Sequence, residues 1–132
     1  MSCKSAIYLQ NSGVYSVTEG NTIPLGNVIR RFGQNTQVSG SGIALGGCGY
    51  YKVTATFTIV PTAVGVVGVS LTNAGTTVSS NMSYASTASE PVSLTVVSLV
   101  RIVCDSERGF LEFVLSNGSG SVAASNVVVE KI

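Results

Sequence analysis

The sequence predicts an all-β fold, an antiparallel jelly-roll β-sandwich of about 8–10 strands. Three observations carry this expectation. From Tyr51 onward, Val53, Ala55, Phe57 and Ile59 fall on one face while Lys52, Thr54, Thr56 and Thr58 fall on the other, the period of two that a half-buried strand requires. Turn signals built from glycine, asparagine, serine and proline recur about every 8–12 residues. Helical periodicity is absent almost everywhere in the 132 residues.

The elements follow in order. Ala6 to Gln10, Val14 to Thr18 and Leu25 to Arg31 are short strand candidates. Val38 and Ile43 to Leu45 flank the Gly-rich patch Ser39-Gly40-Ser41-Gly42, and Gly46-Gly47-Cys48-Gly49 marks a tight bend before the long strand. Pro61 ends that strand, because proline has no N–H for the ladder. A second alternation follows, with Val67, Val69 and Leu71 inward and Gly68, Ser70 and Thr72 outward. The short turn Thr62–Gly65 suggests that the two strands form a hairpin.

Asn73-Ala74-Gly75 is the next turn, and Thr76 to Ser80 and Met82 to Thr87 read as two weak, edge-like strands. Ala88–Pro91 breaks the chain. Val92 to Cys104 is β-rich throughout, and an apparent change of phase near Val97-Ser98 reads as two strands or as one strand with a bulge. A polar turn over 105–109, a strand over Phe110 to Leu115, a turn over 117–120 and a last strand from Asn126 to Ile132 complete the series.

Composition bounds the function. The apolar share of 45 % supports a real core, and the length suits a single domain, 1–132, with no linker, low-complexity tail or internal repeat. Charged residues make up only 10 %, against about 25 % in an ordinary soluble domain. Serine and threonine supply the polar surface instead. Such a surface repels itself weakly, which suits a chain that touches copies of itself. A net charge of +1 gives no field to draw nucleic acid or an anionic membrane. The one basic doublet, Arg30-Arg31, reads as a strand end or a loop salt partner. There is no apolar run of about 18 residues to cross a membrane. Met1-Ser2-Cys3-Lys4-Ser5 shows no signal peptide, so synthesis in a cytoplasm is expected.

The residues for catalysis are missing. The chain has no histidine, so neither a Ser-His-Asp nor a Cys-His arrangement can be built. The acids Glu19, Glu90, Asp105, Glu107, Glu112 and Glu130 are scattered. The close pair Asp105 and Glu107, beside Arg108, reads as a solvated turn, since calcium wants about six to eight oxygens. The glycine clusters lack the lysine and hydroxyl residue of a phosphate loop. No catalytic residue, metal ligand or cofactor is therefore nominated, and the expectation is a protein that is not an enzyme. The three widely spaced cysteines, Cys3, Cys48 and Cys104, read as buried or partly buried thiols. A Cys48–Cys104 bridge stays open, should their strands become neighbours.

Two outward side chains are nominated as a candidate interface, the alternative for an outward aromatic being an isolated surface ring. If Tyr51 continues the inward face of Val53, its neighbour Tyr50 points out of the sandwich. If Val127 and Val129 face the core, Val128 points out, unless the N-terminal segment covers it.

The order of these signals resembles the trimeric jelly roll of the tumour-necrosis-factor and complement globular-head superfamily. The resemblance rests on Gly49-Tyr50-Tyr51-Lys52-Val53, on Val67-Gly68-Val69-Ser70-Leu71 before the turn at Asn73-Ala74-Gly75, on the Val92 to Cys104 block and on the short apolar C-terminal strand. It implies a last strand in the middle of the inner sheet and a homotrimer whose inner sheets meet at a threefold axis lined by apolar and aromatic side chains. The chain also resembles a group of small proteins from Gram-positive gut bacteria and their phages. The shared phrases are Ile23-Pro24-Leu25-Gly26-Asn27-Val28-Ile29-Arg30-Arg31-Phe32-Gly33, Gly49-Tyr50-Tyr51, Ser98-Leu99-Val100-Arg101 and Val127-Val128-Val129-Glu130-Lys131-Ile132.

That resemblance implies a phage virion structural protein made in the bacterial host cytoplasm: a capsid decoration, head fibre or fibre tip, with the major capsid or another virion protein as partner. The alternative is a carbohydrate- or surface-binding module of a bacterial surface that takes a glycan. The absence of tryptophan and the sparse acids weigh against this second reading.

Overall fold

The alternation that opens at Tyr51 produces the longest strand of the computed structural model, which describes residues 4–103 and 109–132. In chain order the strands are β1 (Ala6–Asn11), β2 (Tyr15–Val17), β3 (Asn27–Phe32), β4 (Thr36–Ser39), β5 (Gly42–Leu45), β6 (Gly49–Pro61), β7 (Gly65–Asn73), β8 (Thr76–Ala85), β9 (Val92–Ile102), β10 (Gly109–Ser116) and β11 (Gly120–Lys131). They form two antiparallel sheets. The six-stranded sheet runs β3, β1, β11, β6, β9, with β2 also paired to β11, and the five-stranded sheet runs β4, β5, β10, β7, β8. From β5 onward every connection except the β7–β8 turn crosses between the sheets, which is the winding of a jelly roll. The last strand lies mid-sheet, between β1 and β6.

The apolar stripes of the two sheets meet in one core. Tyr51, Val53, Ala55, Phe57 and Ile59 of β6 are fully buried, facing Val67, Val69 and Leu71 of β7 and Leu111, Phe113 and Leu115 of β10. Phe57 and Phe113 touch across the sheets, with ring centroids 5.0 Å apart and planes tilted by 54°, a favourable aromatic geometry.

Four sequence expectations are corrected. β6 and β7 do not form a hairpin, because both edges of β6 are already occupied by β11 and β9, and β7 joins the other sheet. The hairpin is β7–β8, whose turn residues Ala74 and Gly75 both have positive φ, 51° and 88°, as a two-residue type I′ turn demands. β8 is one strand, not two; Asn81, which reads as its break, donates its side-chain N–H to the Thr95 carbonyl of β9 at 2.8 Å. β9 runs unbroken in register along β6, with no bulge. Its apparent change of phase comes from Ser98, a half-buried hydroxyl residue at a core-facing position opposite Val53. The last strand starts six residues earlier than expected, at Gly120, because a bulge between Val122 and Ala124 interrupts the alternation and hides its first half.

The thiol reading also fails for Cys48, which is exposed and disulfide-bonded. Cys3 and Cys104 lie outside the described residues, as does the Asp105–Glu107 pair.

Candidate functional site

The outer face of the six-stranded sheet collects the side chains that the alternation turns away from the core. On β6 these are Tyr50, Lys52, Thr54, Thr56 and Thr58, and on β9 they are Thr95, Val97, Leu99 and Arg101. On β11 they are Asn126, Val128 and Glu130, flanked by Ala6 and Tyr8 of β1 and by Arg30 and Phe32 of β3.

The register sets them in rows. One row is Arg30, Tyr8, Val128, Thr54, Val97, and the next is Phe32, Ala6, Glu130, Lys52, Leu99. Directly opposed side chains in such rows stand about 5 Å apart, close enough to act as one surface.

Both nominated residues lie on this face. Tyr50 is exposed and its ring carries the Arg101 guanidinium 5.9 Å from its centroid. Val128 is half-buried between Tyr8 and Thr54, while Val127 and Val129 are in the core. Tyr50 is four residues from Thr54, the partner of Val128, hence about 13 Å away along the strand and one strand over. They share a surface without touching. Among the described residues the N-terminal segment pairs beside Val128 as β1 and does not cover it, and the Tyr8 hydroxyl donates to Asn126 Oδ1 at 3.1 Å.

The face contains more apolar surface than those two residues. Phe32 is 61 % exposed, Leu99 60 % and Val97 58 %. Tyr8, Arg30, Phe32, Ala6 and Val128 line a shallow depression of about 170 Å³. Val97 and Leu99 are missed when β9 is read with a change of phase; unbroken alternation from Val92 would have placed them. Toward its other end the face is hydroxyl and amide: Gln10, Asn126, Thr56 and Thr95, with the two threonine Oγ1 atoms 3.5 Å apart.

Arg31, one residue beyond Arg30, lies on the other side of edge strand β3. Its Nε donates to the Thr36 carbonyl at 2.6 Å, a contact without a carboxylate. Charge on an edge strand discourages pairing with a further strand. Among the described residues no group of three His, Cys, Asp or Glu side chains gathers to hold a metal.

Comparison with known proteins returns the fold. No protein-family model matches the chain, and no curated protein matches it. Solved structures do. Murine APRIL superposes with a TM-score of 0.72 at 12 % identity, covering 98 % of this chain and 99 % of that one. The globular domain of zebrafish complement 1qA superposes at 0.66 with 11 % identity, covering 96 % and 95 %. The PRD1 vertex protein P5 superposes at 0.65 with 16 % identity, covering 100 % and 99 %. At such identities the likeness is one of architecture: the chain has the jelly-roll fold of the tumour-necrosis-factor and complement globular-head proteins, a fold it also has in common with a vertex protein.

Proposed function

We propose that this chain is a non-enzymatic, single-domain structural protein of a phage virion that assembles as a homotrimer through the outer face of its six-stranded sheet. The observation that carries the reading is exposed apolar surface at both edges of one sheet face, Phe32 on β3 and Tyr50, Val97 and Leu99 on β6 and β9, in a chain that is poor in charge. A monomer gains nothing by exposing such a surface, whereas burial at an interface returns about 25 cal/mol for each Å² of apolar area covered. Aromatic residues with a flanking arginine are also what interface centres favour.

Two features support the virion setting. The fold is shared with the PRD1 vertex protein P5 along the whole chain. The disulfide at Cys48 suits a protein that works outside a reducing cytoplasm, as a particle released from its bacterial host does after synthesis inside it. In this reading the trimer decorates the capsid or tips a fibre, with the major capsid or another virion protein as its seat. Sedimentation equilibrium tests the assembly: the expected species has three times the chain mass, and a monomer at micromolar concentration would sink the proposal.

A further inference from the structure

A second concavity lies between the β4–β5 hairpin and the chain that leads into β3. It exists because β10 offers one edge to two partners in succession. β5 pairs with Gly109 to Leu111. Beyond it, the segment 20–23 takes over: the Ile23 N–H donates to the Phe113 carbonyl at 2.7 Å, and the Leu115 N–H to the Asn21 carbonyl at 3.1 Å. A gap opens where one partner ends and the other begins. Glu112 ties its two lips together, because its Oε2 accepts from the Ser41 hydroxyl at 2.7 Å on one side and from the Thr22 hydroxyl at 3.4 Å on the other.

The result is a cleft of about 390 Å³, the size of a small-molecule site. Its shape is fixed. Gly26 has φ of 86°, and a Cβ there would stand 2.4 Å from the Gln10 carbonyl oxygen, so only glycine lets the chain bend this close to β1. Asn11, buried at the end of β1, accepts from the Gly13 N–H at 2.9 Å, and the Tyr15 ring packs beside Gly13. Tyr15 is 42 % exposed.

We propose that this cleft binds a neutral saccharide unit. The Tyr15 ring offers a flat apolar surface for the C–H face of a sugar, and the exposed Asn27 and Ser41 offer donors and acceptors to its hydroxyls. The lining chemistry selects against other classes. No lysine or arginine lines the cleft, and the Glu112 carboxylate is bonded to two of its lining residues, Thr22 and Ser41, so an anion finds no counter-charge there. A cation meets one carboxylate, already engaged by two hydroxyls, where a stable site needs several. A wholly apolar ligand would strip water from the amides and hydroxyls without replacing their hydrogen bonds. The site belongs to one protomer and does not rest on the trimer.

The test is titration of the isotope-labelled full chain, followed by its backbone amide resonances. Glucose, galactose, N-acetylglucosamine and rhamnose are added, each free and as a polymer. The expected result is shifts confined to Tyr15, Gly26, Asn27 and the 40–42 hairpin tip, with Kd in about the millimolar range. Tyr15→Ala and Asn27→Ala each weaken binding at least about tenfold while keeping the wild-type dichroism. Response to the free sugar alone marks a soluble saccharide, and response to the polymer as well marks a surface glycan. No shift up to about 50 mM of any probe, or shifts that both variants leave unchanged, overturn the proposal. Sedimentation of the same samples reads assembly separately, so a trimer that binds no sugar refutes the cleft alone, and a monomer that binds one refutes the trimer alone.

Discussion

Two hydroxyls sit in the core without a hydrogen-bond partner among the described residues: Thr36 Oγ1 at the start of β4 and Ser125 Oγ on the inner face of β11. A buried polar group left unpaired costs about 1–3 kcal/mol, so each residue holds the fold below its best stability. Thr36→Val exchanges the hydroxyl for a methyl of the same shape, and Ser125→Ala removes it. Each is expected to raise unfolding free energy by about 1 kcal/mol, read from denaturant midpoints at unchanged slope. Tyr51 is the opposite case. Its buried hydroxyl donates to the Gly47 carbonyl at 2.6 Å and accepts from the Gly47 N–H at 3.2 Å, pinning the bend that precedes β6. Tyr51→Phe is expected to cost about 1 kcal/mol. Burial raises the Tyr51 pKa above its ordinary 10.0, although the Gly47 hydrogen bond opposes the rise. The folded state therefore disfavours the phenolate. The Tyr51 contribution is complete below pH 10 and disappears as pH climbs through the raised value, so unfolding monitored from pH 8 to 12 should fall less steeply in Tyr51→Phe than in the wild type.

At the scale of elements, legibility tracked how strictly a strand alternates. β6 and β10 are readable because apolar residues recur at every second position, Val53, Ala55, Phe57 and Ile59 in one and Leu111, Phe113 and Leu115 in the other, and Tyr50 and Val128 follow from counting by twos. β9 was misread because Ser98 occupies an inward position, and the first half of β11 was missed because the bulge at Ala123 sits among small residues. Both failures share a cause: alternation reports the face of a residue only where polarity and size agree with burial. Sheet membership was less legible still. The Thr62–Gly65 link is short enough for a hairpin, and only the occupation of both β6 edges by distant segments sends β7 to the other sheet. The outer row of β9 supplies the sharpest test of assembly. Val97 and Leu99 protrude beside Thr54 and Lys52 on the face turned away from the core, so changing them should alter monomer stability by less than about 0.5 kcal/mol. Val97→Glu with Leu99→Glu, which sets a carboxylate opposite Lys52, is expected to leave the β dichroism intact and move the sedimenting species from trimer to monomer, because desolvating charged groups in an apolar interface costs several kcal/mol.

For the whole molecule, the proposed interface and the cleft differ in how they arise from the chain. The sheet face is a consequence of local periodicity summed over neighbouring strands, so a sequence reader can find parts of it. The cleft draws on residues 11–15, 22–27 and 38–42, which meet only because β10 shares one edge between two segments. No local pattern announces such a meeting. The covalent organisation is equally non-local. Cys48 lies on the exposed bend held by Tyr51, directly before β6, the longest strand of the six-stranded sheet. A cross-link there restricts the unfolded chain and tethers the entry to β6 at once. Loss of a native disulfide from a small domain typically costs about 2–4 kcal/mol, which at this chain length corresponds to about 10 °C in Tm. Calorimetry of the chain with and without a reductant should show a drop of that order, and Cys48→Ser should reproduce it and abolish the response to reductant. If the oxidised and reduced chains melt together, the cross-link contributes nothing to folding. A role for it outside a reducing cytoplasm would then lack a thermodynamic basis, and support for the virion setting would reduce to the fold shared with the PRD1 vertex protein P5.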